Sequence, residues 1–407
     1  MIAATSHSDA HRRSGWAATM VVVGAGVVAS LQVGKGAIAG PLLQADFGID
    51  LGTLGWLTSV FAILGMVGGI PAGALTAKIG DRRMLCLGLG AIALGAALGA
   101  VAGSFHVLLA GRVVEGLGFL LISVSGPAIL QRVVAPATHD LAFSLWSCFM
   151  PAGMAIAMLA GPQFGDWRAL WWSSAFFAGA AIIAAVLLIP KTADRSPSSW
   201  RGLGASILAT LSVKGPSLLA ASFTLYSLMF FALFSFLPVL LMDRMNVSLQ
   251  TAGLLSAVAV AVNILGNLAA GVLLSRGLDR SAMVAGASVV MGISGLGIFL
   301  PVFLDTATFL LCVMFSAVGG LIPATLLATA PIVARTPNLT PIAVGLVMQG
   351  SALGQVIAPV AVGRAIAFLG WHSAAVIVGF ATLLVVLLTV FLRRPTASAR
   401  RPRRTPP

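Results

Sequence analysis

The fold class predicted for this 407-residue chain is an all-α integral membrane protein of twelve spanning helices, arranged as two six-helix halves. Three observations carry that expectation. Hydrophobic residues make up 59% of the chain and charged residues 9%, with a mean hydropathy of +1.04; soluble domains carry charge on about a quarter of their residues. Twelve apolar runs each approach or exceed the roughly 20 residues that a bilayer-crossing helix needs. A charged element in the first half also recurs 198 residues later in the second.

Residues 1–16 are polar and form a short N-terminal segment. The apolar run that follows, 17–44, exceeds the roughly 7–15 residues of a signal-peptide core, so it is read as an uncleaved first span. Its stretch "VVVGAGVVAS" (21–30) imitates the glycine spacing of a dinucleotide-binding fold, but that motif needs a strand, a turn and a separate helix. Here the run stays apolar into Lys35. Span two (53–76) carries Gly65, Gly69 and Gly73 at i, i+4, i+8, and span three (84–103) carries Gly95, Gly99 and Gly103 likewise. Such small faces let helices approach closely. Span four (106–134) holds Arg112 and Glu115, span five (141–164) holds "AGPQFG", and span six (169–190) is uncharged. These spans make a bundle over 17–190.

The polar stretch 191–215, rich in Pro and Ser, reads as a linker with a short interfacial helix around Trp200 to Leu211. A second bundle, 216–392, follows with spans at 216–241, 250–274, 281–303, 306–334, 341–367 and 372–392. The tail 393–407 is Pro- and Arg-rich and cannot bury a core, so it is expected to be a disordered basic anchor. The continuous apolar runs lack the period-two alternation of a barrel strand, leaving helices as the structure that satisfies the backbone in lipid.

The net charge of +13 does not point to nucleic acid, because the bases lie scattered between apolar spans without interleaved aromatics. Topology explains it better. Of the 21 Lys and Arg outside the spans or, as Arg132, at the very end of one, 19 fall on the side holding both termini and only Arg168 and Arg244 on the other. The positive-inside rule therefore places both termini in the cytoplasm, as for a multi-pass protein of a bacterial inner membrane. Cys86, Cys148 and Cys312 lie inside apolar spans without metal-like spacing, so neither a disulfide framework, a metal nor a cofactor is implied.

The doubled element is "GALTAKIGDRR" (73–83) between spans two and three and "GVLLSRGLDRS" (271–281) between spans eight and nine. Gly73, Lys78, Asp81 and Arg82 correspond to Gly271, Arg276, Asp279 and Arg280. A second pair is "AGPQFG" (160–165) and "APVAVG" (358–363). Two halves with matching devices are the sequence signature of a transporter built from repeats. By helix dipoles, Lys78 suits the negative end of span two and Asp81 the positive start of span three.

Over essentially its whole length the chain resembles the major facilitator superfamily. Gly73, Lys78, Gly80, Arg82 and Arg83 match the family's first motif, whose acidic position is Ala77 here and Ser275 in the second copy. In the family that carboxylate helps latch the cytoplasmic side, so the resemblance implies a weaker or differently built latch. "RVVEG" in span four is similar to the family's Arg-x-x-Gln-Gly, with Glu115 for Gln, and Gly161, Pro162 and Gly165 resemble the span-five motif of drug:proton antiporters, with Ala157 at its first glycine. The resemblance further implies a central cavity lined by spans one and four, and a protein that works as a monomer in the bilayer.

Ionisable groups inside spans are costly and are functional candidates. Here they are Lys35, Arg112, Glu115 and, near the end of span eleven, Arg364, for which snorkelling is an equal reading. Lys35 and Glu115 both lie about 15 Å deep at the helical rise per residue, and Arg112 precedes Glu115 at i, i+3. The carboxylate between two bases is either a static ion pair or a proton-coupling or substrate site. Gln32, one turn before Lys35, is a further cavity candidate. Asn263 and Asn267 on span eight read as interhelical hydrogen-bond glue, and Tyr226 as packing or a cavity donor. The expected function is proton-coupled export of a small organic molecule, such as a drug or a secreted metabolite including a siderophore. The alternative within the class is import of a small anion, as in cyanate-permease-like relatives, because two bases face one acid. An intramembrane enzyme would need a catalytic cluster that His7, His11, His106, His139 and His372 do not form.

Overall fold

The computed structural model describes residues 2–135, 138–191, 208–210, 212–334 and 340–399. No strand occurs among them, and twelve helices are long and apolar enough to cross a membrane, from Gly15–Ile38 to His372–Leu392. The decoy stretch 21–30 lies in one uninterrupted helix. The first helix starts at Ile2, ahead of its apolar run, and the last, His372–Ala399, continues beyond residue 392 into what was expected to be disordered tail. The linker helix expected around Trp200 to Leu211 falls largely outside the described residues, as do residues 400–407.

Several spans are not continuous helices, and prolines account for most of the interruptions. A proline cannot donate to the carbonyl four residues back, and its ring crowds that carbonyl. The chain breaks at Ala39, between Ile2–Ile38 and Gly40–Phe47, behind Pro41. Span five breaks at Cys148, between His139–Ser147 and Phe149–Ala160, behind Pro151. Span seven ends its first helix at Phe234 behind Pro238, and span ten breaks at Gly320 behind Pro323. Span eight breaks at Val262 without a proline. There the Asn267 amide donates to the Asn263 carbonyl at 3.1 Å, a side chain competing for a helical acceptor.

Lipid tails are as apolar as leucine, so helix association rests on close packing rather than on the hydrophobic effect. Spans three and four meet through glycine: a Cβ on Gly95 would lie 2.6 Å from the Gly111 oxygen, and one on Gly111 would lie 2.7 Å from the Gly95 oxygen. Gly99 likewise leaves room for the Trp171 ring of span six. The glycine faces are shorter than their spacing implied, because a Cβ at Gly73 or Gly103 meets nothing within 4 Å.

The two halves touch along spans two and eleven. An added Cβ at Gly55 would stand 2.6 Å from the Pro359 oxygen, at Gly65 3.1 Å from Ala352 Cβ, and at Gly69 3.2 Å from the Gly345 oxygen. Ser59 donates to the Val356 carbonyl at 2.7 Å within the same seam. A second seam joins spans five and eight, where a Cβ at Gly253 would lie 2.7 Å from the Met158 oxygen and 2.9 Å from Pro162.

Candidate functional site

Three charges from two spans meet in the interior of the first half. Lys35 of span one, at the last turn of its helix, sends Nζ to Glu115 Oε1 at 2.6 Å. Arg112, one turn before Glu115 on span four, donates Nη1 to Glu115 Oε2. Each carboxylate oxygen therefore holds one base, and all three side chains are no more than 1% exposed. The expected common depth of Lys35 and Glu115 is realised as a direct pair.

Neighbouring spans fix this arrangement. Gly95 lets span four close upon span three, since a Cβ there would be 2.7 Å from the Glu115 amide nitrogen. Arg112 Nε donates to the Leu57 carbonyl of span two at 3.1 Å, and the guanidinium lies 4.5 Å from the centroid of Phe61. Lys35 Nζ lies 4.4 Å from the centroid of Trp171 on span six. Both cations thus rest on aromatic faces, contacts that gain strength when desolvated. Low local dielectric strengthens the pairs and makes loss of one partner costly, about 3–5 kcal/mol. Gln32 does not join the cluster by a hydrogen bond: its amide donates to Val28 of its own helix at 2.9 Å, and its buried Oε1 has no partner.

The doubled element forms two different structures. In the first copy Gly80 takes φ 97°, a conformation suited to glycine, and Asp81 opens the helix of span three. Asp81 is gripped by Arg132 of span four, with Nε to Oδ2 at 2.8 Å and Nη2 to Oδ1 at 3.0 Å. Arg132 also donates to the Pro190 carbonyl and Arg82 to the Val186 carbonyl, so spans three, four and six are tied at one end. Arg83 is exposed, and the Lys78 side chain lies outside the described residues. In the second copy the left-handed residue is Gly277, and Asp279 caps span nine by accepting from Ala282 N at 2.8 Å. Arg280 reaches Thr329 of span ten at 3.3 Å, while Arg276 is exposed and Gly271 half-buried. Arg132 was counted in the sequence only as a topological charge, and a base at a helix end gives no sign of its partner.

The span-five motif lies where three spans converge. A Cβ on Gly161 would be 2.6 Å from Ile38 of span one, Pro162 abuts Gly253 of span eight, and Gly165 adopts φ 67°. On span eight, Asn263 donates to the Ser316 carbonyl of span ten at 2.8 Å, the interhelical role expected of it, whereas the hydrogen bonds of the Asn267 amide stay within span eight, to Asn263, and do not bear out the same role for Asn267. Tyr226 is buried. At the end of the bundle opposite the termini, exposed Asp46 accepts from Trp167 Nε1 at 3.0 Å and Arg168 Nη1 at 3.1 Å. The Trp167 hydrogen bond, helped by Arg168, holds the Asp46 carboxyl below its ordinary range. Among the described residues no group of His, Cys, Asp and Glu is arranged to hold a metal ion.

The sequence model of the Major Facilitator Superfamily matches residues 21–340. The chain is 29% identical over 383 residues to a chloramphenicol resistance protein of Streptomyces lividans, covering 89% of this chain and 92% of that one. It is 28% identical over 196 residues to a tetracenomycin C resistance and export protein of Streptomyces glaucescens, a match spanning 47% of this chain and 36% of that relative's length. A galactose-proton symporter of Escherichia coli is 27% identical over 40% of this chain and 35% of its own. Among solved structures, the human organic anion transporter MFSD10 (TETRAN) superposes with a TM-score of 0.72 at 18% identity, over 93% of this chain and 99% of that one. That likeness is one of fold.

Proposed function

The chain belongs to the major facilitator superfamily and is a multi-pass membrane transporter, and on that premise we propose that it moves a small organic molecule by proton-coupled alternating access, with Glu115 as the carrier of the coupling proton. The observation that carries this reading is the Lys35–Glu115–Arg112 cluster, a carboxylate deep in a span held by two bases. Protonating Glu115 releases both bases, and a ligand shifts such an equilibrium only through its different affinity for the two states. Among the described residues, the contacts that fix the cluster bring no other titratable side chain: span two offers Leu57 and Phe61, span three Gly95, and span six Trp171. The glycine seams between the halves support rocking about smooth surfaces, and the junction of Gly161 and Pro162 with spans one and eight supports a gating role for that motif.

Export is the direction supported by relatives named for resistance and export. The excess of lysine and arginine favours a second reading, co-transport of an anion with a proton. In both, the termini face the cytoplasm of a bacterial plasma membrane, following the bias of basic residues. Transport in inside-out vesicles with an imposed pH gradient tests the proposal, with a reporter after Pro407 fixing orientation. An acidic interior should drive accumulation if the proton leaves as substrate enters; accumulation driven by the opposite gradient selects co-transport. Indifference to either gradient would remove proton coupling.

A further inference from the structure

At the bundle end opposite the termini, opposite charges stand on either side of the seam between the halves. Asp50 opens span two as its N-cap, accepting from Thr53 N at 2.7 Å, and Arg364 lies on span eleven. An added Cβ at Gly52 would stand 3.6 Å from Arg364 Cγ and 3.7 and 3.8 Å from the two Asp50 carboxylate oxygens. The arginine stem and the carboxylate, from different halves, therefore flank one point of the backbone. Beside them the helix ends are in contact, since a Cβ at Gly363 would lie 3.2 Å from the Leu51 oxygen. The hydrogen bonds from Thr53, helped by Arg364, hold the exposed Asp50 carboxyl below its ordinary range. The pairs Lys35–Glu115, Arg112–Glu115, Arg132–Asp81 and Arg168–Asp46 all lie inside the first half, whereas this opposition spans the two.

The repeat supplies a comparison. Ser248 and Asp166 stand 198 residues from Asp50 and Arg364, the spacing of the doubled turn. Ser248 caps span eight, accepting from Thr251 N at 3.3 Å, and Asp166 caps span six, accepting from Arg168 N at 3.0 Å. The seam of spans five and eight thus has a hydroxyl and an acid where the seam of spans two and eleven has an acid and a base. Capping accounts for Asp50, Ser248 and Asp166 but not for Arg364. We propose that Asp50 and Arg364 form an electrostatic clasp that holds spans two and eleven together at this end and sets how often the halves part there. The clasp rests on alternating access and involves neither Glu115 nor the coupling proton. Snorkelling would let Arg364 act by itself, whereas a clasp makes its effect depend on Asp50. Both groups are exposed, so the attraction has the modest size of a surface ion pair.

Opening at this end can be read by a thiol in the seam. Ser59 is buried there and donates to the Val356 carbonyl, so Ser59→Cys in the full-length chain is the parent. A membrane-impermeant maleimide would be applied to intact cells and, separately, to inverted membrane vesicles, which samples both faces whichever way the chain inserts, with labelling at position 59 followed by mass spectrometry. Asp50→Asn removes the charge and keeps the cap, because Asn and Asp cap about equally well. From the face opposite the termini, the labelling rate should rise by about two- to fivefold in Asp50→Asn and in Arg364→Gln. It should rise no further in the double variant and stay at the parent rate in Arg364→Lys. Asp166→Asn, the matching change at the other seam, should leave the rate unchanged. No increase in Asp50→Asn, increases that multiply in the double variant, or an equal response to Asp166→Asn would each overturn the clasp. A parent labelled from neither face would overturn alternating access and the clasp with it. Gradient-driven transport in the same variants separates the two readings: a clasp that behaves as expected in a chain indifferent to the pH gradient would remove the coupling proton alone.

Discussion

Asp81 and Glu115 are both carboxylates held by arginine, and their surroundings give them different tasks. Arg132 grips Asp81 with two nitrogens but is 21% exposed, at the end of its span, where water can replace a lost partner. Glu115 has no such recourse. Asp81→Ala should therefore lower stability by about 1–3 kcal/mol, less than the penalty for breaking a fully buried pair, and exchanging the charges, Asp81→Arg with Arg132→Asp, should restore part of it. Thermal unfolding of the two variants checks this; an unchanged midpoint in Asp81→Ala would make the pair incidental. Glu115 was legible in the sequence because a charge in an apolar run stands out against insertion cost. Arg132 was not, since a base in the last turn of a span satisfies the topological count wherever its side chain goes.

Helices and their seams were legible to different degrees. Span number followed from apolar length, but the breaks behind Pro41, Pro151, Pro238 and Pro323 lie in runs whose hydropathy never falters. Their signal was steric, a missing donor four residues on, and hydropathy is blind to it. Glycine spacing showed which faces are small without showing what meets them. Gly95 and Gly99 face close neighbours, Gly65 and Gly69 face span eleven, and Gly73 faces open space although it continues the same spacing. Gly73→Leu should accordingly leave the amount of folded protein and its transport near wild type. Gly55→Leu, whose first added carbon would be 2.6 Å from the Pro359 oxygen, should prevent spans two and eleven from closing and abolish transport. Uptake and detergent-extracted yield, measured side by side, test the contrast; equal loss in both variants would return Gly73 to the role that its position in the motif suggested.

At the scale of the whole molecule, two six-span halves pack together and one of them holds the charge cluster in its interior. The duplication was visible as a repeated string, but its copies have diverged: the first ties spans three, four and six through Asp81 and Arg132, the second caps span nine through Asp279. Sequence similarity between the copies marked a turn at the same place in each half and not a shared set of bonds. The cluster is closed off from water and every contact that fixes it comes from the first half, so a proton reaches Glu115 only when the packing within that half opens. Coupling then depends on one carboxylate whose protonation state the bases read. The most direct test measures gradient-driven accumulation and substrate exchange in vesicles carrying Glu115→Gln, a permanent mimic of the protonated form. Exchange should persist, showing a folded and binding-competent protein, while accumulation falls to the level seen without a pH gradient. Accumulation at the wild-type level would contradict the assignment of the coupling proton to Glu115.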